Sequence, residues 1–332
     1  MASGNGRGAL RGAEVHTLDL IFEVLTAEEW AVWLSAPLER ADAKGHRDLA
    51  QMLVGAGAEI GGALHDAVGG GHREIVNDLL ESGTSITAMD ADGRTPLHIA
   101  AGWGQTEMVQ LLLLKGADKD VLDHLEFTPL YLAAQHGHLA TTLALLAAGA
   151  DVNLRCGEFK PQVIHVTAYD GHVEILRAVI EHGVDLEGVD TRRRTALHLA
   201  STNNKATAID VLLGAGANIE ARDHHGYTPL HYASDHFHRE ALLCLLKHGA
   251  TINAQSNFIR TSSMGVASQA GRQGAAEVVD SLLRAGADET IVDDQGRKAS
   301  NMVGVQVEEA NTLAEDVERL RELLANALAD RD

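Results

Sequence analysis

The chain has 332 residues, 45% of them hydrophobic and only 4% aromatic, and a formal net charge of −20. So acidic a surface repels nucleic acid and anionic membranes at long range, and neither is an expected partner. Two cysteines, Cys156 and Cys244, give no disulfide framework and point to a reducing compartment, the cytoplasm or nucleus.

Met1–Arg11 is glycine-rich, expected to be disordered, and lacks the zones of a signal peptide. Val15, Leu18, Phe22 and Leu25 recur at helical spacing, and Thr26 with Glu29 forms a capping box ahead of Trp30 and Trp33. Residues 1–35 are thus expected to hold a disordered start and an N-terminal helical cap. From Pro37 onwards a two-helix word recurs. Its clearest copy is Thr95-Pro-Leu-His-Ile-Ala-Ala101, followed by Gly104, the apolar run Val109–Leu114 and Gly116. Thr95 caps a helix, and Pro96 sits at its first position, where a missing N–H costs nothing. Gly104 and Gly116 stop two successive helices where positive φ is needed.

One such helix pair has an apolar face it cannot bury alone, so copies should flank it. Thr128-Pro-Leu-Tyr, Thr195-Ala-Leu-His and Thr228-Pro-Leu-His restate the word; Pro129 lies 33 residues after Pro96, and Pro229 lies 33 after Ala196. Thr-Pro-Leu-His-x-Ala at this period resembles the ankyrin-repeat family, over residues 36–305. The resemblance implies an all-α repeat solenoid, elongated and curved. Its ankyrin-like helix-turn-helix units, about eight of them, would be joined by β-hairpin connections and closed by helical caps.

The departures are local. Ala63 follows Pro37 by 26 residues, which implies that the projecting hairpin between the first two repeats is missing. Repeat five, Val163–Ala168, has lost the proline and follows a one-residue insertion. Asn204 stands where repeat six should have glycine, a mild change. Phe237 stands there in repeat seven; a left-handed non-glycine residue costs about 1–2 kcal/mol, so that turn is either strained or differently built. In repeat eight, Gly265–Ala270 replaces the first-helix word and the connection around Ser256–Ser263 is enlarged, while the outer helix Glu277–Arg284 is regular. A partial ninth unit starts at Ala299–Val303. Residues 306–332 read as a capping helix opened by Thr312 and Glu315, with Leu313, Val317, Leu320 and Leu324 on one face and Glu315, Glu318, Arg319 and Glu322 on the other. A short coiled-coil seam is the alternative for this helix.

Eighteen histidines invite a metal or acid–base reading. His65, His98, His165, His198 and His231 hold the histidine of the repeated word, which the resemblance implies is bonded within its own turn and to the next repeat. His46, His72, His138, His172 and His238 follow the first helix stop, while His182 and His248 precede the second. A cluster of His224, His225 and His236 is conceivable but has no zinc-type Cys/His spacing, so neither metal nor cofactor is expected. There is no nucleophile elbow, Walker loop, Cys-x-x-Cys or dinucleotide fingerprint, and no enzyme is expected.

What remains is a surface. The resemblance implies binding through hairpin tips and the two residues before the first helix stop of each repeat. On this chain those positions include Asp92, Arg94 and Trp103; Phe127, Gln135 and His136; Phe159, Tyr169 and Asp170; Arg192, Arg194 and Asn203; and His225, Tyr227, Asp235 and His236. Trp103, Phe127, Phe159, Tyr169 and Tyr227 are scarce rings at positions where packing is not expected to require them, and rings beside arginines make interface anchors. Arg155, Lys160, Arg192, Arg193, Arg194, Arg222 and Arg260 also make the tips of repeats five to eight basic, as an acidic peptide would need. The expected function is a monomeric, non-enzymatic protein–protein interaction module or scaffold that binds another protein or peptide on its concave face. The alternative is a regulatory or substrate-adaptor subunit of a larger signalling or ubiquitin-type assembly.

Overall fold

The structure is a computed structural model, and it describes residues 62–257, 261, 275–303, 319, 321–324 and 326. The expected N-terminal cap, the first repeat with its missing hairpin, and the first helix of repeat eight lie outside the described residues. The chain divides into two compact units, residues 1–118 and 119–332.

Among the described residues, the first unit holds two helix pairs: α1 (Ala63–Gly69) with α2 (Arg73–Glu81), and α3 (Pro96–Gly102) with α4 (Thr106–Leu114). The second holds α5 (Pro129–Gln135) with α6 (Leu139–Ala147), α7 (Val163–Asp170) with α8 (Val173–Glu181), α9 (Ala196–Thr202) with α10 (Ala206–Gly214), α11 (Pro229–Asp235) with α12 (Arg239–Lys247), and then α13 (Ala275–Arg284). A 3₁₀ turn at Ala299–Met302 opens the partial ninth unit. Among the described residues of each unit, successive first helices pack on one another. Small residues permit that approach: Ala67, Ala100 and Ala101 in the first unit and Ala133, Ala168, Ala200 and Ala233 in the second are fully buried. Where serine replaces the second alanine, its buried hydroxyl donates to the carbonyl four residues back, Ser201 to Leu197 and Ser234 to Leu230, both at 2.7 Å. Of the C-terminal helix, Leu324 is buried and Arg319 and Glu322 are exposed, the division its pattern predicts.

In repeats two, five and six the repeated histidine holds the repeat to its successor. The Thr195 N–H donates to His198 Nδ1 at 3.1 Å, which leaves the ring proton on Nε2, and Nε2 donates to the Tyr227 carbonyl at 3.0 Å. His65 and His165 reach the carbonyls of Arg94 and Arg194 in the same way. A second ladder runs along the outer loops of the second unit. Side-chain oxygens of Asp120, Asn153, Glu187, Glu220 and Asn253 each accept a backbone N–H from the following repeat, at 2.6–2.9 Å.

The left-handed helix stops are occupied as their positions require. Asn204 has φ 52° and Phe237 φ 58°, so the repeat-seven turn keeps the common geometry and carries the strain.

Candidate functional site

The connections between repeats are tight turns, and among the described residues no strand flanks them. Each of Asp90, Asp123, Asp190, Asp223 and Asp293 closes its turn twice: its carbonyl accepts the N–H three residues on, and its own N–H donates to the carbonyl four residues on. This is a type I turn followed by a left-handed residue. The side chain completes it. Asp223 Oδ1 accepts the N–H groups of His225 and Tyr227 at 2.8 Å each, and the other four aspartates do the same in their own turns.

Repeat five breaks this rule, and the inserted residue explains how. Cys156 replaces the aspartate, and its N–H donates to the carbonyl of Pro161, five residues on rather than four. Proline has no N–H to satisfy, so one donor that the aspartate serves elsewhere is absent. The freed Cys156 side chain is buried against Tyr131 and Val166, and burial raises its thiol pKa.

In the second unit successive tips are tied by backbone bonds, Gly157 N–H to Glu126, Thr191 to Phe159, His224 to Arg192 and Asn257 to His225, at 2.9–3.1 Å. The tips thus form a connected ledge that holds side chains in register. Upon it the Arg192 guanidinium lies over the Phe159 ring, 5.4 Å from its centre. Further along, rings follow one another from tip to helix end. Tyr227 stacks on His231 at 5.2 Å, Tyr232 meets Tyr227 at 6.2 Å, and His236 stacks on Tyr232 at 6.2 Å. The Tyr232 hydroxyl donates to Asp223 Oδ2 at 2.9 Å, and burial together with that carboxylate raises its pKa.

The candidate residues divide by what they touch. In the first unit Asp92 and Arg94 face one another at 3.4 Å, and Trp103 at the end of α3 is 71% exposed. In the second, Gln135, His136, Tyr169 and His236 are exposed, and the Asn203 amide donates to the Tyr169 carbonyl. Asp170 and Asp235 are partly buried, and the His225 ring lies against His224 at 3.6 Å. Phe127 and Tyr227 depart from expectation, because packing does use them. Phe127 stacks on Tyr131 at 4.9 Å beside Cys156 and Val166, and Tyr227 is half-buried on His231. Arg194 departs as well, since its guanidinium pairs with Asp190 of its own turn at 2.7 Å. His236 Nδ1 is bonded to the Tyr232 carbonyl and His224 Nδ1 to that of Arg192, so these rings serve backbone groups. Tyr232, Asp190 and Asp223 were not singled out from sequence. Tyr232 fills the variable place of Thr-Pro-Leu-His-x-Ala, and the aspartates recur at a fixed place three residues before each left-handed tip residue.

Among the described residues no helix is long and apolar enough to cross a membrane. A 62-residue stretch is 39% identical to the L-asparaginase of Dirofilaria immitis, covering 19% of this chain and 10% of that protein, so the chain spans a tenth of the relative's length. The human ASB11 ankyrin repeat domain superposes with a TM-score of 0.60 at 21% identity, over 70% of this chain and 98% of that one. The ankyrin repeat domain of Bcl-3, a member of the IkappaB protein family, does so with a TM-score of 0.59 at 26% identity, over 70% and 99%. The model of ankyrin repeats in three copies matches residues 64–156, 130–223 and 164–256, more than half of the sequence, and the chain belongs to the ankyrin-repeat family.

Proposed function

We propose that this chain is a non-enzymatic protein-interaction module whose second unit takes an acidic segment of a partner protein along the ledge of turn tips and the neighbouring helix ends. Ankyrin repeats generally bind other proteins and are typically non-catalytic. The observation that carries the reading is the Arg192–Phe159 pair, a cation held over an aromatic face on an ordered, solvent-facing backbone. Neighbouring cations add to it. Arg155 and Arg193 are exposed and, among the described residues, lie in no ion pair, whereas Arg194 is neutralised locally and Lys160 pairs with Glu126. On a chain of net charge −20 such a patch selects acidic ligands against the overall field.

The test is affinity capture with mass spectrometry, comparing the wild-type chain with Phe159→Ala/Arg192→Glu. The proposal expects a salt-sensitive partner that the wild type retains and the variant loses, with far-UV helicity and melting temperature unchanged. Equal capture by both proteins would remove this surface from consideration.

A further inference from the structure

We infer that Asp210 on α10 and Cys244 and His248 at the end of α12 form a site for one zinc-type divalent ion on the outer face of repeats six and seven. Their ligand atoms, one from each side chain, all lie within 4.8 Å of one another. Cys244 Sγ is 3.3 Å from Asp210 Oδ1, and His248 Nε2 is 2.7 Å from the same oxygen. A tetrahedral ion with bonds of about 2.0–2.3 Å places its ligand atoms roughly 3.3–3.7 Å apart. The Asp–Cys spacing already matches, and the remaining two need shifts of about an ångström or less, within reach of side-chain rotation.

The backbone supplies this arrangement without rearrangement. Cys244 and His248 are four residues apart at the end of one helix and share a face, while the adjoining outer helix α10 packs on α12 and brings Asp210 to them. Five residues before the second helix stop, repeats three to six have the apolar Leu111, Ala144, Ala178 and Val211, while repeats two and eight have the polar Asp78 and Ser281. Cys244 holds a thiol directed at a carboxylate, and burial, together with that Asp210 carboxylate, raises the thiol pKa to about 12. A divalent cation reverses that penalty, because it draws off the thiol proton and is met by two negative ligands against the single charge of nearby Lys247. The donor set fixes the class of ion. Thiolate and imidazole suit zinc and cobalt and do not suit magnesium or calcium. Asp210 and His248 are exposed, so water can complete the fourth position.

Surface histidines elsewhere bind divalent ions loosely, so the readout must report sulfur. Cobalt(II) titrated into the reduced full-length chain should give, at one equivalent, a thiolate-to-cobalt charge-transfer absorption that zinc abolishes. Cys244→Ser should eliminate that absorption with the buried Cys156 still present. Asp210→Asn and His248→Ala should weaken cobalt binding by roughly tenfold or more, the least expected when a direct ligand goes. Asp210 is a surface residue, so its variant tests the site even if Cys244→Ser fails to fold. Absence of the sulfur band at one equivalent, its persistence in Cys244→Ser, or unchanged affinity in both other variants would overturn the assignment.

Discussion

The Phe159 carbonyl accepts the Thr191 N–H at 2.9 Å, and this bond sets the Arg192 guanidinium 5.4 Å from the centre of the Phe159 ring. The two residues belong to different repeats, and the ring is 47% exposed. An exposed cation–ring pair of this kind contributes about 0.5–1 kcal/mol. A double-mutant cycle with Phe159→Ala and Arg192→Ala, read by urea unfolding, should give a coupling energy in that range. A coupling of zero would mean that the ring and the guanidinium are neighbours only, and that the ledge has no built-in cation site.

A pH dependence follows from His198. Its ring is buried and bonded at both nitrogens as the neutral form, and burial lowers its pKa from the ordinary 6.5 to about 4. The unfolded chain then binds the proton between those values and the folded chain does not, so stability rises with pH across that window. The contribution is fully present above about pH 6.5 and is lost as pH falls to about 4, on the order of 3 kcal/mol. Unfolding free energies measured from pH 7 to 4 should therefore fall more steeply for the wild type than for His198→Gln. His165, lowered in the same direction by burial, adds a slope of the same sign in both proteins. Parallel curves would show that the His198 ring protonates within the fold.

Most of the helix pairs could be read from the sequence because each carries its own local signals. Thr95 with Pro96 starts a helix and Gly104 ends it, and neither needs a tertiary partner to be recognised. The ledge was legible in position and not in chemistry. Position alone marked Phe127 and Arg194 as surface anchors, yet Phe127 turns inward where Cys156 leaves space for a ring, and Arg194 turns back to the aspartate that closes its own turn. Both outcomes depend on a neighbour that the repeat pattern does not encode. The Asp210, Cys244 and His248 cluster was hidden for the same reason. Cys244 reads as one more apolar outer-helix residue until the preceding repeat brings a carboxylate to it across 34 residues.

The turn tips offer a pair of substitutions with opposite signs. The third residue after each turn-closing aspartate is left-handed, and it is Gly93, Gly226 and Gly296 in three repeats but Glu126 (φ 62°) and Arg193 (φ 59°) in two others. A side chain in this region costs about 1–2 kcal/mol, while the added freedom of an unfolded glycine returns roughly 0.5–1 of it. The Arg193 side chain is exposed and lies in no ion pair among the described residues, so Arg193→Gly should raise stability by about 0.5–1 kcal/mol. Gly226→Ala should do the reverse, and more strongly. Its Cβ would fall 2.4 Å from Asn257 Oδ1, which can swing away, and 2.9 Å from the Asn257 backbone nitrogen, which cannot without losing its bond to the His225 carbonyl. Strain and clash together should cost about 1–3 kcal/mol. Amide hydrogen exchange at Asn257 gives a local reading, since faster exchange in Gly226→Ala at matched global stability would place the damage in the tip-to-tip bond. Unfolding data in which both substitutions move stability the same way would remove the claim that left-handed strain at the tips is what separates arginine from glycine there.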